Sequence, residues 1–259
     1  MSSISLFGLN IEDTTLIDAS ANIVHDAKLG VRRKIYFINA HCVNMAAINA
    51  DYFCVLQNGG GVLFADGSGM RMASKLAGFS LKDNVNGTDL FPLICRDAAN
   101  SGIRLAFLGA RPGIAQRCAD KMKSLFPNLD IVWTHDGYFN ANNEMEMIKA
   151  INESDAQILF VAMGVPMQEL WIARNADKIC APVLLGVGAL FDFYSGEMRR
   201  APYQMRKLGI EWLFRFILEP RRMFLRYAIG NPVFIIRVLW RRLRGQEFLQ
   251  KISLISSVE

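Results

Sequence analysis

The chain has 259 residues, of which 52% are hydrophobic and 20% charged; this globular composition excludes intrinsic disorder and suits one large α/β domain, or a core with an appendage. Residues 1–196 hold 16 Lys/Arg against 19 Asp/Glu, and residues 197–259 hold 13 against 5, so the net charge of +5 comes from a basic last quarter suited to a polyanionic partner. Cys42, Cys54, Cys95, Cys118 and Cys180 contain no CxxC pair and His25, His41 and His135 lack ligand spacing, which leaves no basis for a disulfide framework, a zinc site or any metal centre.

Met1–Asn10 has no basic segment followed by an apolar run, so no secretory leader is expected, and a reducing, cytoplasmic setting fits the cysteines. Short apolar, β-branched runs then recur at Lys34–Asn39, Val62–Asp66, Arg104–Gly109, Asp130–Thr134, Ile158–Met163 and Pro182–Val187. Their near-continuous hydrophobicity predicts strands of a parallel sheet covered on both faces. Segments of helical length lie between them: His41–Leu56, Gly69–Leu76, Asp89–Asn100, Gly113–Leu125, Asn143–Ser154 and Met167–Lys178. The alternation predicts an α/β fold, an open, doubly wound, mainly parallel sheet of Rossmann-like type over residues 1–198. Beyond about Met198 the strands stop, and Tyr203–Leu218, Arg221–Ile229 and Pro232–Leu243 read as an Arg- and Trp-rich helical appendage, residues 199–259. Pro220 and Pro232 both suit first helical turns. Clean apolar runs reach only about ten residues where a membrane span needs roughly 20, so no span is expected.

In doubly wound sheets ligands bind beyond the carboxyl ends of the strands. Asp66 ends a strand before Gly67-Ser68-Gly69, where it suits either a general base or a turn residue. Thr88 or Asp89 reads first as a plain N-cap. Gly109-Ala110-Arg111-Pro112-Gly113 has the look of a phosphate-binding turn, and ordinary turn chemistry explains it equally well. Gln168 and Glu169 fall in a first helical turn, open to a ligand or to the helix dipole. Asp192 could grip a ribose or sit solvated in a loop, and His41, beside Asn39, reads foremost as a structural histidine. Between Arg199 and Arg244 twelve basic residues face two acidic ones, with aromatics interleaved. Arg237, Arg241 and Arg244 share a helical face, the pattern of a basic amphipathic helix on an anionic membrane surface.

Taken in order, Gly87-Thr88-Asp89, Gly109-Ala110-Arg111-Pro112-Gly113, His135-Asp136-Gly137-Tyr138-Phe139, Gly164-Val165-Pro166-Met167-Gln168-Glu169-Leu170-Trp171, Gly186-Val187-Gly188-Ala189-Leu190-Phe191-Asp192, Arg200-Ala201-Pro202 and Glu219-Pro220-Arg221-Arg222 resemble the bacterial glycosyltransferases of the WecG/TagA/CpsF family. The resemblance spans roughly residues 34–240. It implies an inverting, metal-independent enzyme without cofactor that moves a sugar from a UDP-sugar to a polyprenyl-diphosphate-linked sugar. The setting it implies is peripheral, at the cytoplasmic face of the bacterial inner membrane, in cell-surface or exopolysaccharide synthesis. It also implies roles: Asp66 as general base; Asn39, His41, Thr88, Asp89 and Gln168 toward substrate; Gly109, Arg111, Gly113, Asp136 and Asp192 toward the nucleotide. Arg215, Arg221, Arg222 and Arg226 would meet the lipid diphosphate from an appendage closing over the site.

Two departures bear on the donor. Phe37-Ile38-Asn39 stands where typical members carry Thr-Pro-Asn or Thr-Leu-Asn, and Asn84 stands where many carry arginine. Both would border the substrate and point away from an N-acetylmannosamine donor. Phe37-Ile38-Asn39-Ala40-His41-Cys42 is similar to the gum-type branch, which implies UDP-glucose and a β-glucosyltransferase; the alternative is N-acetylmannosamine or its uronate transferred onto N-acetylglucosaminyl-diphosphate-polyprenol. A dinucleotide oxidoreductase is disfavoured because no GxGxxG follows a first strand. A non-catalytic membrane adaptor would not need Asp66. The acidic core argues against a nucleic-acid partner, and a homo-oligomer packed through the tail is a further expectation.

Overall fold

The computed structural model describes residues 2–244. The chain opens with a hairpin, β1 (Ser2–Leu6) and β2 (Leu9–Asp13), turned at Phe7 and Gly8, both at positive φ. Helix α1 (Leu16–Leu29) follows, then β3 (Arg33–Ile38), α2 (Ala40–Ala46), α3 (Ala50–Asn58), β4 (Val62–Ala65), α4 (Ser68–Leu76) and α5 (Gly87–Ser101). Next come β5 (Leu105–Gly109), α6 (Ile114–Leu125), β6 (Ile131–His135), α7 (Glu144–Glu153), β7 (Ile158–Ala162), α8 (Met167–Asn175), β8 (Val183–Gly186) and α9 (Leu190–Tyr194). Helices alone follow: α10 (Tyr203–Lys207), α11 (Glu211–Leu218), α12 (Pro220–Phe224), a π-helical turn at Leu225–Ile229, and α13 (Gly230–Arg244).

The strands form one sheet in the order β1-β2-β4-β3-β8-β7-β5-β6, parallel throughout except for the β1–β2 pair. The six expected strands are present with ends shifted by a residue or so. Alternate residues of β3 show why their sequences look uniformly apolar: Tyr36 and Ile38 enter one core with Val161 and Leu184, while Ile35 and Phe37 enter the other with Phe107 and Phe160. A strand covered on both faces needs apolar side chains on both. On the second face Phe107 packs edge-on to Phe160 and stacks on Phe191, with ring centroids 5.5 and 4.9 Å apart.

Several elements differ from the sequence expectation, each for a local reason. The hairpin and α1 add to it. Thr15 caps α1 by accepting from Asp18 N, and Gly30 closes it in the left-handed region. The expected helix His41–Leu56 is two, because the Asn49 side chain accepts from Tyr52 N and starts α3 afresh. Tyr203–Leu218 is likewise two, divided at Gly209 (φ 73°). Conversely, Arg221–Ile229 and Pro232–Leu243 run together through the π turn as one helix from Pro220, so Pro220 takes a first-turn position whereas Pro232 lies inside.

This merger changes the membrane reading. Pro220–Arg241 is long and apolar enough to cross a bilayer by length and composition, contrary to the expectation drawn from its interrupted apolar runs. The helix nevertheless packs on the sheet domain: Phe234 is 2% exposed and sits 5.6 Å from the Phe7 ring, and Tyr227 and Val238 are buried. Arg241 lies over Phe7 and donates to Ser5 O, and Asn44 Nδ2 donates to Gly230 O at 2.7 Å. Residues 245–259 of the expected appendage lie outside the described residues.

Candidate active site

A cleft of about 1750 Å³ opens at the carboxyl ends of β3, β4, β7 and β8, and α11 to α13 form its opposite wall. Asp66, the residue after β4, lies on its floor. Its N–H donates to Ile38 O at 2.8 Å, which ties the loop to β3. Asn39, the residue after β3, caps α2 by accepting from His41 N and Cys42 N, and its Nδ2 donates to Asp66 Oδ2 at 3.3 Å. Asn39 therefore aims the carboxylate while starting the helix. Gly67, at φ 91°, turns the chain into α4, and its N–H donates to Asn84 Oδ1 at 2.7 Å.

Burial raises the Asp66 carboxyl above its ordinary value, opposed by the Asn39 hydrogen bond and by Arg215 and Arg226 across the cleft. Burial, then Arg226, pushes His41 down to about 4, so its ring is neutral at physiological pH. Arg226 and Arg215 belong to the covering helices, and Arg215 stacks 4.4 Å from the Phe193 ring centroid. At the other end of the cleft burial also raises Asp192, with Arg111 and then Arg222 opposing. Arg111 and Arg117 hold Glu197 at 2.9 and 2.7 Å. Among the described residues no three His, Cys, Asp or Glu side chains come together.

Of the residues singled out from sequence, Asp66, Asn39, His41, Thr88, Gln168, Arg111, Asp192, Arg215, Arg222 and Arg226 line this one cleft. Asp89, Gly109, Gly113, Asp136 and Arg221 do not. Asp89 receives Arg200 at 2.7 Å and Arg206 at 3.5 Å, joining α5 to the start of the appendage. The N-cap beside it is Asn86, which accepts from Asp89 N, in place of the expected Thr88 or Asp89. Gly109 is required by strand packing: a Cβ there would lie 2.4 Å from Ala162 O. Gly113 starts α6 at φ 80°. Asp136 accepts from Tyr138 N within its own turn, and Arg221 is exposed on the outer face of its helix. Glu197, Arg200 and Arg206 had no assigned role from sequence, since their partners are 80 to 117 positions away.

The doubly wound sheet thus presents a carboxylate at its strand ends to an arginine-bearing helical cover, a frame that can pair a general base with groups able to hold an anionic leaving group. The chain belongs to the WecG/TagA/CpsF family of glycosyl transferases, whose family model matches residues 4–248. It is similar to the N-acetylglucosaminyldiphosphoundecaprenol N-acetyl-beta-D-mannosaminyltransferase of Bacillus subtilis (strain 168), 30% identical over 243 residues that cover 94% of this chain and 92% of the relative. The enzyme of the same name from Bacillus spizizenii is 31% identical over 74% of this chain and 72% of its own, and that of Staphylococcus aureus (strain NCTC 8325 / PS 47) is 26% identical over 91% of each.

Proposed function

We propose that the protein transfers N-acetylmannosamine, or a close derivative, from its UDP-activated form onto N-acetylglucosaminyl diphosphate carried by a polyprenol at a membrane surface. The acceptor and the donor sugar follow the names of the relatives, which favour this donor over the glucose expected from Phe37 and Asn84. The observation that carries the mechanism is Asp66: a partly buried carboxylate, held by Asn39, on the floor of a cleft walled by arginines. In this reading an acceptor hydroxyl attacks the anomeric carbon and gives its proton to Asp66, and the bond to UDP breaks. Arg111, with Arg222 beside Asp192, lies where guanidinium groups can take up charge on the leaving diphosphate. An α-linked donor then yields a β-linked product. Residues 199–244 form the part that meets the lipid diphosphate, through Arg215 and Arg226.

Glucose transfer remains a second reading on one specific observation. Asn84, which stands where many family members carry arginine, lines the cleft and is committed to Gly67 N beside Asp66. A donor panel separates the two. UDP-N-acetylmannosamine, its uronate and UDP-glucose are offered with polyprenyl-diphosphate N-acetylglucosamine and with polyprenyl-diphosphate glucose, beside Asp66→Ala. We expect transfer from UDP-N-acetylmannosamine, lost in Asp66→Ala. Transfer from UDP-glucose alone overturns the donor assignment, and undiminished transfer by Asp66→Ala overturns the mechanism.

A further inference from the structure

Glu169, in the first turn of α8, is the one acidic side chain in the fully buried class among the described residues, at 1% exposure. A first-turn acid ordinarily faces solvent and the helix dipole; this one points inward. Its Oε1 accepts from Gln168 Nε2 at 2.8 Å, and its Oε2 has no partner. Gln168 is itself 2% exposed. Its single Oε1 accepts two backbone N–H groups, Gly164 N at 3.1 Å and Gly188 N at 2.8 Å. Gly164 follows β7 and Gly188 follows β8, so one side-chain oxygen bridges two adjacent strand-end loops of the cleft. The amide lies flat against Gly186, where a Cβ would come within 3.0 Å of Nε2.

An amide has an acceptor end and a donor end. Turned over, Gln168 would set its NH2 against two N–H donors, losing both bonds and burying them unsatisfied. The two glycine N–H groups therefore demand the oxygen on their side, and the Glu169 carboxyl, by accepting from the NH2 on the other, completes and locks that orientation. We propose that Glu169 is a positioning residue for nucleotide binding: by accepting from Gln168 it fixes the amide, and the amide holds the Gly164 and Gly188 loops at the separation the donor's UDP requires. The Gly188 loop leads directly to Asp192, which lines the cleft and feels the Arg111 charge. The inference rests on the UDP-sugar reading above and deepens it.

The test is UDP binding to the full chain by calorimetry, with thermal melts as a check on folding. Steady-state constants for donor and acceptor are measured alongside. Glu169→Leu keeps the volume and removes the acceptor. Loss of one oriented buried hydrogen bond predicts a rise in UDP Kd and donor KM of roughly tenfold, with acceptor KM little changed. Glu169→Gln, whose amide oxygen accepts in the same place, restores most of the binding. A second pair decides the matter if Glu169→Leu fails to fold. Gln168→Glu sets two carboxyls against each other and weakens UDP binding; adding Glu169→Gln supplies a donor to the new carboxylate, leaves its other oxygen for the two glycine N–H groups, and restores binding. Folded Glu169→Leu with unchanged UDP affinity, or a swapped pair no better than Gln168→Glu alone, overturns the assignment. Wild-type protein that binds no UDP overturns instead the donor reading on which it rests.

Discussion

At the scale of single residues, the half-buried Asp66 and the fully buried Glu169 call for separate experiments. Asp66 has to be ionised to accept a proton, and its surroundings raise it above the ordinary carboxylate value, burial being the largest cause. The acid limb of kcat/KM against pH is therefore expected above the usual carboxylate range, and Asp66→Asn should lower kcat by roughly 10²–10⁴ while UDP still binds. A limb at the ordinary value, or a mild Asp66→Asn phenotype, removes the base assignment. Burial pushes Glu169 from 4.5 up to about 7, with the Gln168 hydrogen bond opposing. A carboxyl raised in the folded state contributes stability that is complete below the unfolded value and is lost as pH rises toward the folded one. Between pH 5 and 8 the wild type should thus lose stability relative to Glu169→Gln by up to on the order of 3 kcal/mol, read from parallel denaturant titrations. Parallel curves across that window would contradict it. Asp66 and Asn39 were legible in sequence because each directly follows an apolar strand. The inward turn of Glu169 was not, since Trp171 and Gln168 on its own helix give no sign of which face is covered.

At the scale of elements, the parallel strands were legible because a two-sided core forces apolar residues at both parities. The edge hairpin was not: Ser2-Ser3-Ile4-Ser5-Leu6 is short and half polar, as an edge permits. The helix breaks at Asn49 and Gly209 are not legible in the sequence because apolar periodicity continues across them. The covering helix is held through Phe234, which fills a site beside Phe7 and Gly69. Phe234→Ala should weaken that docking by about 3 kcal/mol or more. Amide exchange over Pro220–Arg244 should then speed up by roughly 100-fold, with protection of β5 and β7 unchanged. Equal loss in both regions would mean that the helix and the sheet unfold as one unit.

At the scale of the molecule, the charge asymmetry is matched by a division of labour. The sheet domain holds Asp66, while the covering helices carry Arg215, Arg222 and Arg226 into the same cleft. The same helices expose Leu225, Ile236 and Trp240, with Arg221 exposed one turn before Leu225. We expect binding to vesicles containing anionic lipid that weakens as ionic strength rises, and release from membranes by salt without detergent. Retention through a salt wash, with release only by detergent, would favour a crossing by Pro220–Arg241 over the surface reading. The general position of the site was readable from strand ends, whereas its far wall depends on contacts between the two extremes of the chain.

Those contacts have a consequence for biosynthesis. The Arg241 bond to Ser5 O joins positions 236 apart, and Phe7 is covered by Phe234 nearby. A ribosome adding about 5–20 residues per second exposes the hairpin on the order of ten seconds or more before its cover emerges. Until residues 234–241 have emerged, Phe7 lacks its cover and the cleft lacks the arginine-bearing wall that faces Asp66.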